Sequence, residues 1–370
     1  MVERLRAPSS YVDVNLGAAD TKLQSSSEGG VAAEHLCEKL TTFLQPNIAD
    51  VPLNANGMGK GGARRRMNRY FFDCTNELHD SIVSLHDFIL PTATALWHFR
   101  QVVQGEIAAN PAATAAYLAK KFNSAPGTRG TTNLITPFQV HQWEAQRERL
   151  AEVALVNVIA LYEIWCEAIC DEFQNPDLAI KLQFNSNPTR SSGIGFALDQ
   201  LRSNLSSTVE NSLYRSLTKV KKYSLPTLEA LLLCYRYFKE LRNCYMHRGR
   251  HCDGKLYGAQ SKFIPIATKS ELGMDFVPEH KRYQLGDKIE LSLHGVLGFT
   301  EVILRIVTTV DAELAATKVG EGVLISRMIA TVPTPKQPSS LKTIFNTMGF
   351  QGVPITTDLT KLLRRAGIII

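Results

Sequence analysis

Residues 143–173, WEAQRERLAEVALVNVIALYEIWCEAICDEF, decide the fold class of this 370-residue chain. Apolar residues recur in this stretch every three or four positions, which is the period of an α-helix. The residues that follow this spacing are Leu150, Val153, Ala154, Leu161, Ile164, Trp165 and Ala168. Because residues 153–161 are apolar on nearly every face, the pattern predicts a long helix that lies between other helices.

Three further segments repeat the helical period: residues 76–104, 228–245 and 291–314. Pro91 is expected to break or kink the first of them. The triplet Ser-Leu-Pro at 224–226 is a typical helix start, and Gly249 is the expected stop of the same helix. The predicted fold class is mainly α: a helical bundle with an N-terminal helical extension, few short strands and a small C-terminal appendage.

Turn-forming residues suggest where the chain divides. Gly, Pro, Thr and Asn follow one another quickly in residues 124–137, and VPTPKQP at 332–338 has the composition of a linker. We therefore expect an N-terminal region at 1–140 that is partly loop and partly helical. A helical domain at 141–318 follows it, and residues 319–370 form a linker with a C-terminal appendage.

The composition is that of a globular protein, with 44% hydrophobic and 21% charged residues, which excludes wholesale disorder. The longest apolar runs are about half the roughly 20 residues that a membrane-spanning helix needs, and the N-terminus lacks the apolar core of a signal peptide. Seven cysteines without a Cys-x-x-Cys pair indicate reduced thiols and no structural zinc. We expect a soluble cytoplasmic protein with no membrane partner, no metal and no cofactor.

Positive charge is concentrated in one part of the chain. Residues 211–255 hold ten Lys and Arg against three Asp and Glu, while the whole chain has a net charge of +6. Such a patch favours a polyanion such as RNA, because phosphate contacts release condensed counterions. The candidate RNA-binding lysines are Lys219, Lys221 and Lys222. Smaller surpluses lie at 60–66 and 364–365, and solvated surfaces remain an open alternative for each patch.

The most informative motif is ELRNCYMHRG at residues 240–249. Arg242 precedes His247 by five positions, and Asn243 follows Arg242 directly. Among the nine histidines, this is the one with an arginine five to seven positions before it. The motif lies in the last turns of the predicted helix, inside the most basic part of the chain.

This Arg-Asn-x-x-x-His motif resembles that of the HEPN (higher eukaryotes and prokaryotes nucleotide-binding) superfamily. The resemblance covers about residues 142–315 and includes the helix order and the Tyr-Glu step at 162–163. It implies a catalytic pair, Arg242 and His247, with Asn243 in support. Many HEPN proteins are metal-independent endoribonucleases of toxin or antiviral defence systems, and they act as homodimers whose motifs face each other. The resemblance leaves open an antitoxin or sensor partner.

The chemistry of these side chains fits cleavage of single-stranded or loop RNA. Attack by the 2′-hydroxyl needs a proton carrier near neutral pH and a cation beside the phosphorane, and histidine and arginine supply them. On a regular helix Arg242 and His247 point about 140° apart, so either the helix unwinds near Gly249 or a second protomer completes the site. We favour the second protomer. Further candidates for contacts with bases or phosphates are Tyr245, Arg248 and Arg250.

Other interpretations of the motif stay open. Arg242 pairs with Glu240 or another carboxylate in one of them, while His247 and Arg248 complement the helix dipole. In another, a HEPN-like module binds RNA, nucleotide or a protein without cutting. Glu163 either orients the arginine across the bundle or serves as a surface or capping residue.

Three other patterns are interpreted as structural. The His-Asp steps at 79–80 and 86–87 invite comparison with metal phosphohydrolases, but further ligands are missing, so we predict a solvated helix face. Cys166 and Cys170, one turn apart, are expected to be buried thiols. The triplet His-Cys-Asp at 251–253 is expected to form a turn rather than to join His247 in a metal site.

Overall fold

The computed structural model describes residues 70–122, 133–187, 191–331, 340–348, 350 and 354–369. These residues are mainly α-helical, which confirms the predicted helical bundle at the level of fold class. The β-structure among them is limited to isolated bridges. The basic residues predicted at 60–66 lie outside the described part of the chain.

The helices are α1 (Asp73–Ala109), α2 (Ala115–Lys121), α3 (Trp143–Glu172), α4 (Ile194–Leu201), α5 (Leu228–His247), α6 (Gly254–Phe263), α7 (Lys269–Leu272), α8 (Leu293–Ala315), α9 (Lys318–Thr331), α10 (Leu341–Thr347) and α11 (Thr357–Arg365). Short helical turns connect them at Thr136–Val140, Pro176–Leu178, Lys181–Gln183, Ser207–Val209, Glu210–Tyr214, Arg215–Leu217, Leu225–Thr227 and Ile264–Ile266.

Helix α8 forms the centre of the bundle. It packs against α1, α3 and α5, and nearly every one of its residues is buried. The helical period of residues 291–314 predicts one apolar face, yet the surrounding helices, which also include α4 and α9, cover nearly all faces of α8. Aromatic rings join α8 to its neighbours: Phe299 stacks on Phe238 of α5 with ring centres 4.5 Å apart, and Tyr235 of α5 meets Tyr162 of α3 at 4.8 Å.

Helix α3 begins where the sequence predicted, and Leu150, Ala154 and Trp165 of the predicted period are buried, but two residues of that period are not. Val153 and Ile164 are 43% and 61% exposed, whereas Leu155 and Val158 are fully buried. Because residues 153–161 are apolar almost all round, spacing alone does not choose between the two faces. The positions of α1, α5 and α8 determine which side of α3 is buried, and they leave the side with Val153 uncovered.

Helix α1 continues through Pro91, so the proline does not break it, which was one of the two expected effects. Pro91 is exposed, so water can bind the carbonyl that its missing N–H leaves unpaired. The predicted solvated face is also wrong at His86, which is 6% exposed and whose Nε2 has no hydrogen-bond partner among the described residues. Burial in the bundle lowers the pKa of His86.

Segments from the predicted N-terminal and C-terminal regions belong to the same packed core. Helix α1 lies along α3, with Trp165 Nε1 donating a hydrogen bond to Thr75 Oγ1 at 2.9 Å. Residues 319–331, expected in the region of the linker and appendage, lie in helix α9. Near the C-terminus, the ring of Phe350 lies 5.8 Å from that of Phe71. The described residues of all three predicted regions therefore share contacts.

Two of the described helices, α3 and α8, are long and apolar enough to cross a membrane by length and composition. In α8, 89% of the apolar window is buried inside the protein, and in α3 the share is 50%. Core helices of soluble proteins have these same properties, so the two helices are weak evidence for a membrane location.

Candidate active site at the end of helix α5

Helix α5 is regular from Leu228 to His247. It follows a 3₁₀ turn that contains Pro226, and it ends before Gly249, whose φ of 61° lies in the left-handed region. The predicted start and stop signals are thus confirmed. Because the helix does not unwind before His247, Arg242 and His247 point about 140° apart and about 7.5 Å apart along the axis.

Arg242 is oriented by a carboxylate on the neighbouring helix α3. Its Nη2 donates to Glu163 Oε2 at 3.3 Å, and its side chain is 20% exposed. Lys239 holds the other oxygen of this carboxylate, with 2.7 Å between Nζ and Oε1, and also donates to Gln183 Oε1 at 2.7 Å. The Nε of Arg242 is buried and has no acceptor among the described residues. This Nε is out of reach of a ligand, so an anion could meet only the Nη groups of the partly exposed guanidinium.

His247 is exposed, and its imidazole makes no hydrogen bond to any described residue. Positions 236, 240, 243 and 247 follow each other at helical spacing, so His247 shares a stripe of α5 with Asn243 rather than with Arg242. Asn243 Nδ2 donates to Glu240 Oε2 at 3.2 Å, and Arg236 lies 2.6 Å from the other oxygen of Glu240. The imidazole is accessible to a substrate, and the amide on its stripe is held in place.

Three residues near the motif were predicted to contact RNA. Arg248 is exposed, Arg250 is partly exposed, and Tyr245 is inside the protein. Tyr245 is 5% exposed, its hydroxyl donates to Glu148 Oε1, and the guanidinium of Arg250 covers its ring at 4.3 Å. Burial raises the pKa of Tyr245 to about 12. The ring is therefore not accessible to a base. Arg248 is 58% exposed, with Nε 3.7 Å from Asp253.

The lysines predicted to bind RNA lie at the opposite end of α5. Lys219, Lys221 and Lys222 precede its first turn, and a 20-residue helix is about 30 Å long. Lys221 Nζ lies 2.8 Å from Asp275, and Lys222 pairs with Glu301, while Lys219 is exposed. The basic surplus of residues 211–255 is thus divided between two ends of a helix, and carboxylates neutralise part of it.

Cys166, Cys170 and the His-Cys-Asp triplet at 251–253 lie in places that indicate structural roles. Cys166 and Cys170 are fully buried, as predicted, and burial raises the pKa of the Cys170 thiol to about 12. Asp253 caps helix α6 by accepting from the backbone N–H groups of Lys255 and Leu256. Among the described residues, no group of three His, Cys, Asp or Glu side chains is placed to hold a metal.

Sequence reasoning missed Lys239 and Gln183. Lys239 stands one helical turn before Arg242, so its position near the same carboxylate is visible in the i, i+3 spacing. Gln183 belongs to the short turn Lys181–Gln183, far from Lys239 along the chain. Their contact depends on the tertiary fold, and no local sequence pattern predicts it.

Neither the family models, nor the curated proteins, nor the solved structures with which we compared the chain match it.

Proposed function

We propose that the protein is a metal-independent endoribonuclease of the HEPN type that cleaves single-stranded or loop RNA. One observation carries the proposal: the guanidinium of Arg242, 20% exposed, is oriented by Glu163 through a single long hydrogen bond from Nη2, and the exposed His247 ends the same helix. An oriented guanidinium with unused donors can bind a phosphate, and a solvent-reachable imidazole can move protons.

In the proposed reaction His247 takes the proton from the ribose 2′-hydroxyl or gives one to the departing 5′-oxygen. Arg242 stabilises the charge that develops on the phosphorus oxygens. Glu163 keeps the guanidinium in place and Lys239 neutralises that carboxylate, which leaves the remaining Arg242 donors to the substrate. Since one α5 helix points its arginine and histidine apart, the composite site takes one of them from each protomer of a homodimer.

The biological setting belongs to the same proposal. A role in toxin or antiviral defence, restrained by a sensor or antitoxin, comes from the resemblance, and a cytoplasmic location comes from the expectation of reduced cysteines. We extend both properties to this chain as part of the proposed function.

The purified protein is expected to cut unstructured RNA in the presence of a chelator, because histidine and arginine supply the needed charge and proton transfer without metal. The measurement is a cleavage gel with end-labelled RNA in EDTA, followed by identification of a 2′,3′-cyclic phosphate at the new ends. A DNA strand of the same sequence is the control and stays intact, because it lacks the attacking hydroxyl. Cleavage that requires added divalent metal contradicts the proposal.

A second candidate function is RNA binding without cleavage, favoured by the opposite directions of Arg242 and His247 on α5. It predicts salt-sensitive binding that the change His247→Ala leaves intact. Replacement of Lys219, Lys221 and Lys222 by alanine should then reduce the slope of log Kd against log salt by up to about three, one for each phosphate contact. Fluorescence anisotropy over a salt series measures this slope, and a cleavage gel on the same samples separates the two functions.

A further inference from the structure

Helix α5 carries a second arginine, Arg236, and this one faces the same way as His247. The two residues are eleven positions apart on a regular helix, which corresponds to a rotation of about 20° and a rise of about 16 Å. Arg242, by comparison, points about 140° away from His247. A strand that lies over the imidazole and runs back along this face of α5 therefore meets Arg236.

Two contacts hold the guanidinium of Arg236 in place. Its Nη2 lies 2.6 Å from Glu240 Oε1, and its Cζ lies over the ring of Phe184, 5.0 Å from the ring centre. The side chain is still 32% exposed, and its Nε and Nη1 have no acceptor among the described residues. An arginine that is already oriented and keeps donors in reach of solvent is well suited to bind a phosphate.

The ring that supports this guanidinium is anchored to the first turn of α5. Phe184 directly precedes Asn185 and Ser186 in the chain. Asn185 Nδ2 donates to the backbone carbonyl of Glu229 at 2.6 Å, and the backbone N–H of Ser186 donates to the carboxylate of Glu229 at 3.0 Å. The segment that carries the ring is thus tied to the same helix that carries the arginine.

A line of polar side chains connects Arg236 with the position of His247. Glu240 holds Arg236 through Oε1 and accepts a hydrogen bond from Asn243 Nδ2 through Oε2 at 3.2 Å. Asn243 stands one helical turn before His247. Because Glu240 is 2% exposed, its carboxylate stays beneath the surface, and this face of α5 presents a cation, an amide and an imidazole to a ligand.

We infer that this face of α5 is the path of the RNA strand, and that Arg236 binds a backbone phosphate about 16 Å from the link that is cut at His247. Phe184 and Glu240 are positioning residues, which act through Arg236. The inference rests on the proposed function, because that function supplies RNA as the ligand. It deepens the function by naming a contact with the strand outside the catalytic pair.

The first test measures binding without cleavage. The probe is a fluorescent, unstructured 2′-O-methyl RNA, which lacks the attacking hydroxyl, and its anisotropy with the full-length protein is followed over a salt series in EDTA. The compared variants are Glu240→Gln and the double variant Glu240→Gln/Arg236→Gln, so that neither leaves a buried charge without a partner. Loss of Arg236 in this background is expected to raise Kd about tenfold and to reduce the slope of log Kd against log salt by about one. Equal Kd and slope for the two variants overturn the inference.

A control variant and a ring variant separate contact with RNA from a general change of charge or fold. Lys318→Gln removes a charge that is 57% exposed on α9 and should leave Kd and slope unchanged. Phe184→Leu in the Glu240→Gln background removes the ring and should raise Kd about two- to fivefold, the contribution of a surface cation–π contact. In the double variant, which already lacks Arg236, the same change should have no effect. An equal effect of Phe184→Leu in both backgrounds contradicts its positioning role.

The second test uses the length of the substrate. With a long unstructured RNA, loss of Arg236 is expected to raise KM about tenfold with little change in kcat, because the phosphate contact is the same in the ground state and the transition state. With a dinucleotide, whose single phosphate lies at His247, Arg236 is about 16 Å away and its loss should change neither value. Loss of cleavage by the same factor with both substrates shows a structural role of Arg236 and overturns the phosphate contact.

The outcomes separate this inference from the nuclease proposal. A wild type that cuts RNA, with binding and KM that do not depend on Arg236, refutes the inference and leaves the nuclease untouched. A wild type that fails to cut RNA, but whose binding weakens when Arg236 is lost, supports the RNA path and refutes the nuclease. A wild type that does not bind the 2′-O-methyl RNA refutes the inference, and the cleavage gel in EDTA then decides the nuclease by itself.

Discussion

The change His247→Ala is expected to lower RNA cleavage by a factor of about 10² to 10⁴, the usual contribution of a positioned acid or base. His247 is the exposed imidazole of the motif, and it makes no hydrogen bond to a described residue that would give it a structural role. Initial rates of cleavage of a labelled RNA in EDTA measure the loss. The thermal midpoint should change little, because exposed substitutions without such contacts are usually within about 0.5 kcal/mol.

A matched control is Met246→Ala, which removes the exposed neighbour on the same helix end and should keep cleavage near the wild-type rate. Equal cleavage by wild type and the His247→Ala variant refutes the assigned role. If each site combines Arg242 of one protomer with His247 of the other, mixing the two inactive variants Arg242→Ala and His247→Ala restores activity. About a quarter of the wild-type rate is expected, since half of the dimers are mixed and each has one intact site.

Much of helix α5 could be predicted because its signals are local. The proline at 226 and the glycine at 249 mark the ends of a helix, and the apolar period between them marks its buried face. That period included Tyr245, so its burial was predictable from spacing, and the expected contact of this ring with bases conflicted with it. The pairing of Arg242 with Glu163 rather than Glu240 was open, because it depends on how α3 packs across α5.

The count of charges along the chain predicted the positions of charged side chains in space less well than apolar spacing predicted the helices. Lysines and arginines that are neighbours in residues 211–255 are divided in space by the length of α5, and carboxylates from distant segments pair with them. The exposed side of α3 shows the same limit. A helix that is apolar all round specifies burial without specifying direction, so only the tertiary arrangement shows that Val153 and Ile164 remain uncovered.

The largest stability effect is expected at Asp311 in the central helix α8. Asp311 is 3% exposed. Its carboxylate accepts hydrogen bonds from the backbone N–H groups of Phe71 at 2.7 Å and Phe72 at 3.0 Å, immediately before α1 begins. Asp311→Ala leaves both buried donors without an acceptor, and each such loss costs about 1–3 kcal/mol. We expect the free energy of unfolding at pH 7, from urea denaturation followed by circular dichroism, to fall by about 2–6 kcal/mol.

The pH dependence of this loss has a definite sign. Burial raises the pKa of Asp311 from 3.8 to about 6, so between these values the folded protein binds more protons than the unfolded chain. The contribution of Asp311 to stability is therefore greatest below about pH 4, and it decreases as the pH rises through 6, by about 3 kcal/mol for a shift of this size. The difference in unfolding free energy between wild type and Asp311→Ala should be larger at pH 4 than at pH 7.

Asp275→Ala, which removes an exposed carboxylate, is the control and should change stability by at most about 0.5 kcal/mol at pH 7. A difference between wild type and Asp311→Ala that shrinks on acidification would show instead that the two backbone hydrogen bonds outweigh the cost of burying the charge.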